Sequence, residues 1–195
     1  MFQTVVVLGG YGVFGSRIAA SLARHPELEL IIAGRDPARA SAFAATLGPR
    51  PIRALAIDIT DTPQVRALLA QRPAVVIDTV GPFQDRDLDV ARSCVERGIH
   101  YVDIADGRAR VAGITALDAA ARDRDALVVS GASTVPAVSS AIVTDLVAPN
   151  DDVLEIDVGI SPGHSAPRGL ATAQGVLSYC GLAIPSLAGP ARDYG

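Results

Sequence analysis

Short apolar runs alternate with amphipathic stretches along this chain, and their spacing predicts a strand–helix series. Strands are expected at Thr4–Leu8, Leu28–Ala33, Ile52–Ile57, Ala74–Asp78, His100–Asp103 and Leu127–Ser130. There, aliphatic residues gather in runs too short for helices. Helical spacing falls between and after them, at Ser16–Arg24, Pro37–Leu47, Pro63–Gln71, Asp87–Arg97, Ile114–Arg124 and Pro136–Val147. Asp36-Pro37 and Thr62-Pro63 mark two helix starts, each a capping side chain before a proline. A proline's missing N–H costs nothing at the first helical position. Gly48 and Gly98 stand where two helices should stop. Such a series implies an α/β fold, a doubly wound parallel sheet of about six strands with right-handed crossovers.

Residues 1–150 are expected to form that domain. After Asn150-Asp151-Asp152 the pattern changes. Val153–Ile160 alternates like a half-exposed strand, Ser161–Gly169 reads as a loop, and Leu170–Cys180 as one more helix. Residues 151–195 are therefore expected to open a second domain that the chain does not complete. Uncovered apolar surface would then favour self-association.

The first strand runs into glycines spaced Gly10-x-Gly12-x-x-Gly15, with Tyr11, Val13 and Phe14 between them. A buried strand turning sharply into a helix gathers unpaired N–H groups and the positive end of a helix dipole at one point, a seat for a diphosphate. Gly10 is expected to make the tight turn, Gly12 to let backbone touch phosphate, and Gly15 to let helix press on strand. By itself the spacing also suits an ordinary glycine-rich turn.

The second strand ends at Ala33-Gly34-Arg35-Asp36, where an NAD-specific fold would carry an acid for the ribose. Arg35 stands there instead, and Arg39 follows one helical turn on. A guanidinium pairs with a 2′-phosphate that a carboxylate would repel, so the expected cofactor is NADP(H). Arg39 is equally readable as a solvated helix charge. After the third strand, Asp58 is placed to accept an adenine amino group and Ile59 to pack the ring; alternatively Asp58 only organises a turn. Val80, Gly81 and Pro82 follow the fourth strand, across the switch crevice from the first, where the nicotinamide half would run.

Composition narrows the chemistry. All 17 basic residues are arginine, which excludes Schiff-base lysines, a Walker lysine and the Tyr-x-x-x-Lys pair of short-chain dehydrogenases. A net charge of −4 argues against nucleic acid or an anionic membrane surface. No apolar run approaches the roughly 20 residues of a bilayer span, and no secretory leader is expected, so the cytoplasm is the default. Cys94 and Cys180 are expected as thiols there, and scattered His25, His100 and His164 suggest no metal site.

The ordered segments Gly9–Gly15, Ala33–Asp36, Asp78–Gln84, His100–Gly107 and Gly131–Pro136 resemble the NADP-binding domain of saccharopine dehydrogenase-like oxidoreductases. That resemblance implies a Rossmann domain binding NADP(H), then an α+β domain that completes the substrate site and aids dimerisation. It also implies reduction or oxidation of a C=N, C=O or C=C bond in a small-molecule substrate. No proton donor stands out. Tyr101, Asp103 and Asp106 lie near the expected crevice, but Asp103 also suits a strand-end cap and Asp106-Gly107 a turn. Ser133 and Thr134 suit helix capping, His100 a structural role, and Cys94 a core position. His164 and Arg168 share a loop that could greet an acidic substrate. A non-catalytic NADP(H) sensor or scaffold is the other class of function compatible with these features.

Overall fold

A computed structural model describes residues 3–148, 152–161, 163–167 and 169–182. Six strands form one parallel sheet: β1 (Gln3–Leu8), β2 (Leu28–Gly34), β3 (Arg53–Ala56), β4 (Val75–Asp78), β5 (His100–Asp103) and β6 (Val128–Val129). Their order, β3-β2-β1-β4-β5-β6, is that of a Rossmann sheet, reversing between β1 and β4. The helices are α1 (Gly15–Leu22), α2 (Pro37–Thr46), α3 (Thr62–Leu69), α4 (Asp89–Val95), α5 (Arg108–Gly113), α6 (Asp118–Asp123), α7 (Ser139–Leu146) and α8 (Leu170–Leu177).

The two-residue period of the strands builds two cores. Val5 and Val7 of β1 join Leu30 and Ile32 of β2 on one face, against Ala19 of α1 and Ala40 and Ala44 of α2. Val6 and Leu8 turn to the other face with Ile31, Val76 and Tyr101, against Val65, Leu68 and Leu69 of α3 and Val90, Ala91 and Cys94 of α4. Alanines at the first interface bring helices close to the sheet, and larger aliphatics fill the second. Both faces of β1 are sealed, so its run is continuously apolar.

Several boundaries differ from the expectations. The third strand starts at Arg53, and the sixth shrinks to two residues. The helix expected from Ile114 begins at Arg108, passes through a tighter turn at Ile114–Leu117, and resumes at Asp118. The N-cap of α3 is Asp61 rather than Thr62; its carboxylate accepts from the Gln64 N–H at 3.1 Å. Pro136 sits in an irregular turn, Thr134–Val138, with α7 starting only at Ser139. Val153–Ile160 is no strand. Its alternation is real, but among the described residues it pairs with neither sheet edge, and a strand exists only by pairing. Residues 149–151 and 183–195 lie outside the described residues, as does Arg168.

Candidate functional site

At the carboxyl ends of β1, β2 and β4 lies an open cleft of about 1170 Å³. Tyr11, Gly12, Val13 and Phe14 of the first loop line it, with Arg35 and Arg39 at one side and Asp58 and Ile59 beyond. Val80, Gly81 and Pro82 line the opposite side. Gly10 and Gly15 are not in the lining; they sit behind it, where helix meets strand.

The glycines divide their work differently from expectation. The left-handed turn belongs to Gly9, at φ +71°, and not to Gly10. Gly9 donates to the Ala33 carbonyl at 2.8 Å and accepts from Gly12 N–H at 2.8 Å, which folds the loop tightly. Gly10 is needed for packing, since a Cβ would stand 3.0 Å from the Val7 carbonyl and 3.1 Å from Ile32. Gly15 is tighter still. A Cβ there would meet Thr79 Oγ1 at 2.6 Å and the Gly9 carbonyl closer than that.

The loop delivers free donors. Among the described residues the Val13 and Phe14 amides find no carbonyl partner, and the α1 N-cap supplies no side-chain oxygen. Unpaired N–H groups at a helix N-terminus facing a cleft suit an anion. Arg35 and Arg39 add two exposed guanidinium groups, neither in an ion pair among the described residues. This donor set fits a dinucleotide carrying an extra phosphate.

Asp58 organises its turn: Oδ1 accepts from the Thr60 amide at 2.9 Å and hydroxyl at 2.8 Å. Those hydrogen bonds, helped by the charge of Arg35, hold its carboxyl below the usual aspartate range. Ile59 is half-buried beside it. On the far side, helix α8 packs over the loop after β4. A Cβ on Gly81 would lie 3.3 Å from Ala171, and one on Gly169 3.4 Å from Val13.

Beneath that loop is a charged network that the sequence did not reveal. Asp78 and Asp103 are fully buried at paired register positions of β4 and β5, on the face that also carries Tyr101. Arg86 bridges both Asp78 oxygens and donates to the Val80 carbonyl. Arg110 donates from Nε to Asp103 Oδ2 at 3.1 Å and from Nη2 to the Tyr101 hydroxyl at 2.8 Å. Asp103 Oδ1 accepts from Ala105 N–H, Gly131 N–H and Ser130 Oγ. Two guanidinium groups thus balance two carboxylates. Burial favours neutral Arg86, but the acidic groups around it, Asp78 foremost, together outweigh burial and raise the Arg86 pKa above the ordinary value. Burial, reinforced by both carboxylates, pushes the Tyr101 phenol far above the usual tyrosine range. The one sequence signal that could have found it is the pair of aspartates, Asp78 and Asp103, ending two successive strand patterns.

Among the described residues the other candidates fall outside the cleft lining. Tyr101 and Asp103 lie within this network, and Asp106 accepts from Gln84 Nε2 at 3.0 Å. His100 Nδ1 accepts from Leu127 N–H, and Ser133 Oγ donates to the Val135 carbonyl without capping a helix. His164 is exposed in a turn. Burial pushes the Cys94 thiol up to about 12.

The fold and cleft together define a dinucleotide-binding Rossmann protein. Residues 5–135 match the saccharopine dehydrogenase NADP binding domain, and the chain belongs to that family, with NADP as its cofactor. A trans-acting enoyl reductase of Mycobacterium ulcerans (strain Agy99) is 32% identical over 107 residues, covering 51% of this chain and 24% of that relative. The chain thus spans about a quarter of the length of that curated relative. Saccharopine dehydrogenase (L-Glu forming) from Saccharomyces cerevisiae shares the fold at a TM-score of 0.55 and 21% identity, over 73% of this chain and 30% of that one. A short chain dehydrogenase/reductase family protein does so at 0.51 and 21%, over 66% and 73%. The absence of lysine separates this chain from the Tyr-x-x-x-Lys chemistry of short-chain dehydrogenases.

Proposed function

We propose that this chain binds the cofactor of an NADP(H)-dependent oxidoreductase acting on a C=N, C=O or C=C bond of a small molecule. The observation that carries the reading is one cleft flanked by free amides at α1, two unpaired guanidinium groups after β2, and the Val80–Pro82 loop opposite. Bound NADPH supplies the hydride. Val13 and Phe14 amides hold the diphosphate, and Arg35 and Arg39 take the 2′-phosphate. Ile59 covers the adenine. Asp58 is committed to Thr60 through Oδ1, leaving Oδ2 for the adenine amino group. The loop after β4, held from below by Arg86, flanks the nicotinamide. No catalytic residue is assigned. Residues 1–150 act as the Rossmann domain and the remainder as the start of a substrate domain.

The partner assignment is a second copy of the chain. Leu154, Leu170 and Leu177 are 96%, 75% and 66% exposed, and aliphatic surface of that kind is stabilised by cover. A dimer by light scattering is expected; a monomer at high concentration opposes it. Two free cysteines, one exposed, suit a reducing compartment such as the cytoplasm. Nicotinamide fluorescence tests the cofactor assignment. NADPH should bind more tightly than NADH, and equal or absent binding counts against it. NADPH oxidation with an imine, enone or ketone separates enzyme from sensor.

A further inference from the structure

We infer that Tyr11 is a specificity-determining positioning residue, its ring holding Arg39 at the rim of the cleft so that the diphosphate loop and the end of β2 read the cofactor together. The inference rests on the NADP(H) reading and extends it to a residue with no charge of its own.

Tyr11 stands between two glycines of a loop whose backbone does the phosphate binding, so that task does not call for an aromatic ring. The structure gives the ring another place. It lies against Gly34, where a Cβ would come within 2.5 Å of Cε1 and 2.7 Å of the hydroxyl oxygen. The hydroxyl accepts the Asp36 N–H at 2.9 Å. Asp36 is the N-cap of α2, and its carboxylate accepts the Arg39 N–H at 3.0 Å. The Arg39 guanidinium carbon sits 4.9 Å from the Tyr11 ring centroid, within the range of a cation–π contact.

Arg39 is therefore fixed twice, its backbone by Asp36 and its side chain by Tyr11. A free arginine carries rotamer entropy that binding must remove, and the ring removes part of it beforehand. Among the described residues no carboxylate neutralises Arg39, so its charge stays available to a phosphate.

Calorimetric titration of NADPH and NADH tests this in the wild type, Tyr11→Leu, Tyr11→Phe, Arg39→Ala and the Tyr11→Leu/Arg39→Ala double variant. Arg39→Ala should lower the NADPH preference by about tenfold or more, as for a lost charge-assisted hydrogen bond. Tyr11→Leu should lower it by about three- to fivefold, the scale of an exposed cation–π contact. The double variant should match Arg39→Ala alone, because the ring acts only through the guanidinium. Tyr11→Phe keeps the ring and most of the preference. A Tyr11→Leu preference equal to wild type, or losses that multiply in the double variant, overturns the inference. If the leucine variant fails to fold, Tyr11→Phe decides: a preference reduced to the Arg39→Ala level overturns it. A wild type without NADPH preference overturns the cofactor reading and this inference with it, and is recognised before any variant is made.

Discussion

Arg86 lies across the buried carboxylate of Asp78, with Nη1 3.3 Å from Oδ1 and Nη2 2.8 Å from Oδ2. Its third bond reaches the Val80 carbonyl, so one side chain ties the end of β4 to the loop that follows. Removing the carboxylate would leave a largely buried guanidinium without its counter-charge. Asp78→Ala is expected to cost about 3–5 kcal/mol of stability, as when one partner of a buried pair is deleted. Urea unfolding measures it. A loss under about 1 kcal/mol would show the pair to be no better than a surface salt bridge.

At Gly15 the added methyl has nowhere to go, because the atoms it meets are backbone and a hydroxyl fixed to the Leu8 carbonyl at 2.7 Å. Gly15→Ala should cost about 1–3 kcal/mol through overpacking. It should weaken NADPH and NADH alike, since it displaces the helix end that both share. Selective loss of one cofactor would contradict this account of the junction.

Arg35→Ala acts at the other end of the cleft. It should weaken NADPH by about 1.5–3 kcal/mol, the range for hydrogen bonds to charged groups, and spare NADH. Added salt should erode the wild-type preference as well, because both guanidinium groups are exposed and screened. A preference indifferent to salt would argue for a buried, uncharged contact instead.

The two cysteines should behave differently. Cys94 is buried with its thiol pushed up to about 12, while Cys180 is exposed. Thiol reagents at neutral pH should label Cys180 alone in the folded protein and both in denaturant. The raised pKa also sets a sign. Above the ordinary value of 9.0 an unfolded Cys94 releases its proton and the folded one does not, so stability falls as pH rises from 9.0 towards about 12. Below 9.0 Cys94 adds no pH dependence. In Cys94→Ala the fall should be shallower by up to one proton; an unchanged slope contradicts the burial argument.

What the sequence made legible was local and periodic. Continuous apolar runs marked the strands buried on both faces, and Asp36-Pro37 marked the start of α2, where Asp36 does cap. Val153–Ile160 carried a strand's alternation, but alternation describes faces and not neighbours. Three spaced glycines point to Gly10 for the turn, but only the backbone angle decides which residue turns, and that residue is Gly9. Asp103 suited a cap by position. Tyr101 is its neighbour on the same face of β5, but Arg110 becomes its partner only when α5 brings it there. Tyr11 shows the same limit: its contacts at Gly34, Asp36 and Arg39 join segments more than twenty residues apart along the chain, and no local pattern encodes them.

The central claim is that amides at the head of α1 and guanidinium groups after β2 together hold a phosphorylated dinucleotide. A crystal structure with NADP⁺ tests it most directly. The diphosphate should lie within hydrogen-bond distance of the Val13 and Phe14 amides, with the 2′-phosphate against Arg35 and Arg39. A cofactor whose 2′-phosphate faces solvent, with both arginines turned away from it, would contradict the account.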